Sequence, residues 1–204
     1  MKNIVILISG GGSNMAAILR TALQDDWLGR FGARIAGVVS NRPSAGGLAL
    51  ASSQGVATAV LDHTKFGSRE AFDLALMSQI DAMDPNGQPS WVVLAGFMRI
   101  LTPAFVTHYE GRLLNIHPSL LPAFPGLHTH RRAIEAGCQF AGATVHRVMT
   151  ELDHGPILAQ AVVPVFASDT DESLAGRVLT QEHLLYPRVL ARLLAGTPDN
   201  FHTN

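Results

Sequence analysis

The stretch Ile4-Val5-Ile6-Leu7-Ile8-Ser9-Gly10-Gly11-Gly12-Ser13-Asn14 decides the architecture. Its first five residues are apolar without interruption. Such a run fits a strand covered on both faces, and strands of that kind belong to parallel sheets. Three glycines follow, and Asn14 opens a helical pattern over residues 14–23. The unit is strand, glycine-rich loop, helix. As a secretion signal the apolar run is too short, and it lacks a small-residue cleavage site.

Outward from this unit the same alternation continues. Residues 34–40, 56–61, 91–96 and 113–116 read as further strands, and 47–54 and 68–83 as helices. The order predicts an α/β fold with an open, doubly wound, mostly parallel sheet of Rossmann-like type. The last third differs. Residues 144–149 and 157–165 read as strands joined only by the polar loop Thr150-Glu151-Leu152-Asp153-His154-Gly155-Pro156, which predicts an antiparallel C-terminal portion. A long helix is expected over 170–194, with Asp169 and Glu172 as a capping-box-like start. Pro187 is expected to bend or break it. One domain is expected over 1–204, its N-terminal half about 1–100 and its C-terminal half about 101–204.

Composition narrows the class. The 204 residues are 47% hydrophobic and 15% charged, which excludes a disordered chain. Fifteen Lys and Arg stand against sixteen Asp and Glu, a net charge of −1. No global basic field is available for nucleic acid. The single cysteine, Cys138, cannot form an internal disulfide and fits a reducing compartment. The longest apolar run, 91–98, is far below the roughly 18 residues that a spanning helix needs. The expectation is a cytoplasmic protein with small-molecule partners and no nucleic-acid or membrane partner.

The loop from Ser9 to Asn14 has two readings. Glycines let backbone approach an anion, and the following helix N-terminus attracts negative charge, so a phosphate is a natural guest. The other reading is a tight turn with Ser13 or Asn14 capping the helix. No Gly-Lys-Ser/Thr follows, so it is not a Walker loop. Met15 stands where a dinucleotide fingerprint needs its third glycine.

A second constellation is Leu114-Asn115-Ile116-His117-Pro118-Ser119-Leu120-Leu121-Pro122. Asn115 and His117 are two apart on a strand and share a face. Histidine exchanges protons near neutral pH, and an asparagine N–H can hold a developing oxyanion. A structural Asn/His pair remains open as the alternative. Asp153, in its tight loop, either pairs with His117 and fixes its tautomer or closes an Asx-turn. His128-x-His130 opens a helical stretch and has no third ligand of diagnostic spacing, so no metal is expected. Arg69 and Arg99 are anion candidates or ordinary surface charges. No Gly-x-Ser-x-Gly elbow is present, and Cys138 reads as structural.

Together these motifs resemble the folate-dependent phosphoribosylglycinamide formyltransferases. The resemblance runs through the opening loop, Val93-Leu94-Ala95-Gly96-Phe97-Met98-Arg99-Ile100-Leu101, Asn115-x-His117-Pro118-Ser119-Leu120-Leu121-Pro122, Pro125-Gly126-Leu127-His128-Thr129-His130, the loop 151–156, and Thr180-Gln181-Glu182-His183. It implies formyl transfer from 10-formyltetrahydrofolate, a co-substrate, to the amine of glycinamide ribonucleotide, with no metal. It implies Asn115, His117 and Asp153 as the catalytic trio. Gly12, Ser13 and Asn14 would hold the ribonucleotide phosphate, Gly96 and Pro118 would line the same substrate, and Glu182 would bind its ribose. Arg69, Met98, Arg99, Ile100, Leu101, Asn115, Thr150, Glu151, Leu152 and Asp153 would line the folate. Gly11, Ala123 and His154 depart from residues common in the family. A formyltetrahydrofolate deformylase-like hydrolase is the alternative. That enzyme usually carries an N-terminal regulatory domain, and none fits before Lys2. An initiator-tRNA formyltransferase would need a further C-terminal domain. A monomer or homodimer is expected.

Overall fold

A computed structural model describes residues 1–196. The end of the domain expected to reach Asn204, residues 197–204, lies outside the described residues. The chain divides into two compact units, Met1–Leu114 and Asn115–Asn204.

In the first unit, β1 (Lys2–Ile8) leads into α1 (Ser13–Gln24), and α2 (Trp27–Phe31) precedes β2 (Ala33–Ser40). α3 (Gly46–Ser53), β3 (Thr58–Val60), α4 (Arg69–Asp81), β4 (Trp91–Leu94) and α5 (Pro103–His108) follow. β1 pairs in parallel with β2 and β4, and β2 in parallel with β3. The side chains of Ile4 to Ile8 are fully buried, as the uninterrupted apolar run predicts. The chain winds from β1 outward to β3 and returns to β4 on the other side of β1. That reversal opens a crevice at the carboxyl ends of β1 and β4. The helices α2 and α5 were not anticipated. Asp26 caps the first through Gly29 N–H, and Thr102 with Pro103 at the first helical position starts the second.

β5 (Leu113–His117) carries the boundary between the units. The second continues with α6 (Thr129–Glu135), β6 (Phe140–Arg147), β7 (Ile157–Pro164) and α7 (Asp171–Leu194). β6 and β7 are antiparallel, with a register shift at Val145/His146. The strands run in the order β3-β2-β1-β4-β5-β6-β7, so the fold is the mostly parallel α/β sheet with an antiparallel C-terminal part. β6 begins at Phe140, earlier than the expected 144, because Gly142 fits under the Ala161 carbonyl and lets the ladder extend.

One expectation for α7 is corrected. Its capping box is Thr170 with Ser173, not Asp169 with Glu172. Asp169 instead forms a two-pronged pair with Arg177, at 2.8 Å for each oxygen, which holds its carboxyl far below the usual range. Pro187 does not break the helix. Leu185, Tyr186, Val189 and Leu190 around it are buried, and that packing outweighs the one helical hydrogen bond a proline removes.

Two glycine substitutions separate packing from propensity. Gly142→Ala would drive its methyl into the Ala161 carbonyl and Leu120. It should cost about 1–3 kcal/mol or more in urea denaturation. Gly176→Ala, in open space inside α7, should stabilise by about 0.5–1 kcal/mol.

Candidate active site

In the first unit the loop after β1 is held from below. Ser9 donates its hydroxyl to Asn41 Oδ1 at 2.6 Å and accepts the Met98 N–H at 2.7 Å. Ser9 N–H also donates to the Gly96 carbonyl at 3.1 Å. One buried serine thus ties the ends of β1 and β2 to the loop after β4. Gly12 caps α1 with φ of 70° and no side-chain hydrogen bond, so neither Ser13 nor Asn14 is the cap. A Cβ at Gly12 would stand 3.2 Å from Gly47 Cα. The first helical bond is Ala16 N–H to Gly12 O. The N–H groups of residues 13–15 precede it and have no acceptor within the helix. No acidic side chain lies in that first turn. The geometry suits an anion.

The loop after β4 carries Gly96, with φ of 76°, and the predicted folate residues Met98 to Leu101. Met98 and Ile100 are 66% and 60% exposed, so they present apolar surface to solvent. Arg99 lies 5.5 Å over the Phe72 ring, and its Nε is buried with no hydrogen-bond partner. Arg69 is the first residue of α4, beside its Ser68 cap.

In the second unit β5 delivers Asn115 and His117. His117 Nδ1 lies 3.6 Å from Asp153 Oδ2, and its Nε2 lies 3.0 Å from the Phe124 carbonyl oxygen. Both ring nitrogens therefore face acceptors. Asp153 is held at φ of 56° in the loop after β6, with its side chain 6% exposed. Its Oδ2 accepts the Gly126 N–H at 2.9 Å. The loop closes where Arg147 N–H donates to the Pro156 carbonyl, and a side chain at Gly155 would collide with the Arg147 carbonyl. Thr150, Glu151 and Leu152 are exposed on its outer side. His154 Nδ1 lies 2.6 Å from the Leu152 carbonyl oxygen. Pro118 follows His117 directly, and Glu182 is buried on α7 near Tyr186. Burial first, then the Glu182 charge, pushes the Tyr186 phenol well above its ordinary pKa.

Sequence reasoning missed two participants. His146 lies 3.9 Å from Asp153 Oδ1 and 3.2 Å from Asn115 Nδ2. The buried polar pair Thr144 and His146, two apart on a strand, was the available signal. The loop 119–126 was the other. Its carbonyl at Phe124 and N–H at Gly126 meet the trio, and Thr144 anchors it by donating to Ser119 O and accepting Leu121 N–H. Among the described residues, no group of three His, Cys, Asp or Glu side chains is placed to hold a metal ion.

Residues 2–190 match the formyl transferase family. The chain belongs to that family. The formyl transferase is 52% identical over 189 residues to the phosphoribosylglycinamide formyltransferase of Escherichia coli (strain K12), covering 93% of this chain and 85% of that protein. It is 42% identical to the trifunctional purine biosynthetic protein adenosine-3 of Drosophila melanogaster, across 96% of this chain but 14% of that longer protein. The crystal structure of phosphoribosylglycinamide formyltransferase from Brucella melitensis superposes with a TM-score of 0.86 at 50% identity, covering 97% of each chain.

Two imidazoles of the formyl transferase resist protonation. Burial lowers the pKa of His146, and the nearby His117 adds to this against the Arg147 carbonyl and Asp153. Burial also lowers that of His130, with Asp171 opposing. A folded pKa below the unfolded one means that the unfolded chain binds more protons as pH falls through about 6.5, so stability drops there. Urea midpoints should fall between pH 7.5 and 5.5, a window above ordinary carboxylate titration. The drop should shrink in His130→Leu. An unchanged drop in that variant would remove His130 from the linkage.

Proposed function

We propose that this formyl transferase moves the formyl group of 10-formyltetrahydrofolate to the amine of glycinamide ribonucleotide, a step of purine synthesis. The observation that carries the proposal is the approach of His117 to Asp153, with Asn115 two residues before His117 on the same strand and bonded to His146, in a chain so similar to enzymes of that name. In this reading the acceptor amine attacks the formyl carbon, and a C–N bond forms as the carbonyl electrons move to oxygen. The Asn115 amide donates to that oxyanion, an interaction of about 3–4 kcal/mol where it has been removed elsewhere. His117 assists the oxyanion and the proton passing from the amine to the departing folate nitrogen, help worth about 100- to 10,000-fold. To do so, its Nε2–H has to exchange the Phe124 carbonyl for substrate. Asp153 keeps the ring oriented.

Gly12, Ser13 and Asn14 take the phosphate in this proposal, Gly96 and Pro118 the body of the ribonucleotide, and Glu182 its ribose hydroxyls. Arg69, Met98, Arg99, Ile100, Leu101 and residues 150–153 take the folate. The exposed apolar side chains of Met98 and Ile100 suit a flat heterocycle. One domain then carries both tasks, phosphate binding in about 1–100 and folate chemistry in about 101–204. No helix among the described residues is long and apolar enough to cross a membrane. The cytoplasm is the proposed compartment, with small molecules as the partners.

Incubating pure protein with 10-formyltetrahydrofolate, with and without glycinamide ribonucleotide, tests the reaction. Folate loss should require the acceptor. Equal loss without it would instead establish a deformylase-like hydrolase. Asp153→Asn keeps the side-chain shape, and it should preserve the fold while lowering kcat by about 100-fold or more. A near-normal rate would take Asp153 out of the mechanism.

A further inference from the structure

The trio leaves one question of geometry open. A carboxamide can turn over, exchanging its oxygen and its NH2 with almost no change in shape. Only one of the two orientations places the NH2 of Asn115 in a fixed position. Something has to choose between them.

The choice is made on β6. His146 Nδ1 lies 2.9 Å from the Arg147 carbonyl oxygen. A carbonyl only accepts, so Nδ1 carries the proton. In a neutral ring Nε2 is then a lone pair, and it faces Asn115 Nδ2 at 3.2 Å. A lone pair is satisfied by the amide NH2 and repelled by the amide oxygen. His146 is 2% exposed, and its burial disfavours the cation that would reverse these roles. The groups facing the ring are Asn115, the Arg147 carbonyl, Asp153 and His117. Asp153 Oδ1, at 3.9 Å from Nε2, is beyond hydrogen-bond range. The register shift between Val145 and His146 re-aims this part of β6, as bulges beside active sites commonly do. Among the described residues, the bond to His146 is the only hydrogen bond of the Asn115 side chain. Its second amide hydrogen is left over.

We propose that His146 is a positioning residue, whose neutral Nδ1-protonated ring locks the Asn115 carboxamide so that the second N–H is presented to the developing oxyanion. The inference rests on the oxyanion role proposed above for Asn115. It gives β6 a catalytic purpose although His146 touches no reacting atom. It also makes the Arg147 carbonyl the element that sets the tautomer, in the way that an outer partner orients a histidine in many sites.

The test uses the full chain in the acceptor assay. His146→Leu removes the acceptor for Asn115, and His146→Gln can restore one through its amide oxygen. His146→Leu should lower kcat about tenfold, the upper end for one hydrogen bond, with KM values changed less than about twofold. His146→Gln should recover most of that loss. In an Asn115→Ala background the His146→Leu change should cost less than about twofold, because the group it positions is gone. Glutamine no better than leucine, or an equal loss in both backgrounds, would overturn the inference while leaving the role of Asn115 intact. Asn115→Ala at the wild-type rate would defeat the reading of Asn115 itself and the inference with it. Nitrogen-15 NMR of the histidine rings of the wild-type protein tests the tautomer independently of activity. A proton on Nδ1 and none on Nε2 of His146 is expected near neutral pH, and the reverse would contradict the proposal.

Discussion

The carboxylate of Asp153 is the constraint on which the polar cluster at the end of β5 depends. A buried carboxylate is costly unless hydrogen bonds and opposite charge surround it. Here one oxygen takes the Gly126 N–H and faces His117, while the other faces His146. One side chain thus joins the end of β5 to the loop 119–126. The backbone accepts an unfavourable left-handed conformation at Asp153 to put it there. Two residues on, the chain passes so close to the Arg147 carbonyl that Gly155 has no room for a side chain.

The same economy appears at the ends of the parallel strands. Apolar runs from Ile4 to Ile8 and from Val92 to Leu94 are buried and carry no chemistry. They position the loops at their carboxyl ends. Ser9, the first polar residue after β1, spends its hydroxyl on Asn41 and on the Met98 N–H, which holds a glycine loop and a turn in one frame. Backbone donors become available where the hydrophobic run stops.

Much of this was legible in the residues. Uninterrupted apolar runs identified the parallel strands, and glycine spacing identified the loop before α1. The two-residue spacing of Asn115 and His117 put them on one face of a strand, while the short polar loop before Pro156 left Asp153 open between a partner for His117 and an Asx-turn. What was not legible depends on contacts remote in sequence. Thr144 and His146 looked like ordinary strand residues, because a polar residue inside a strand shows its partner only once the loop 119–126 has folded over it. The capping of α7 was misread for a similar reason. Asp169 resembles a cap, yet Arg177, eight residues on, claims both its oxygens. Pro187 looked like a bend or a break, and the helix continues through it because local propensity does not include the buried face around it.

The central claim is that the Asn115 amide and the His117 imidazole act on one formyl group while the Asp153 carboxylate holds the imidazole. A crystal structure of the protein with glycinamide ribonucleotide and a folate bearing a non-transferable formyl group tests it most directly. The account predicts the formyl oxygen at about 3 Å from both the Asn115 amide nitrogen and a ring nitrogen of His117. A formyl group seated beyond hydrogen-bond reach of both, with the ribonucleotide amine facing it there, would contradict the account.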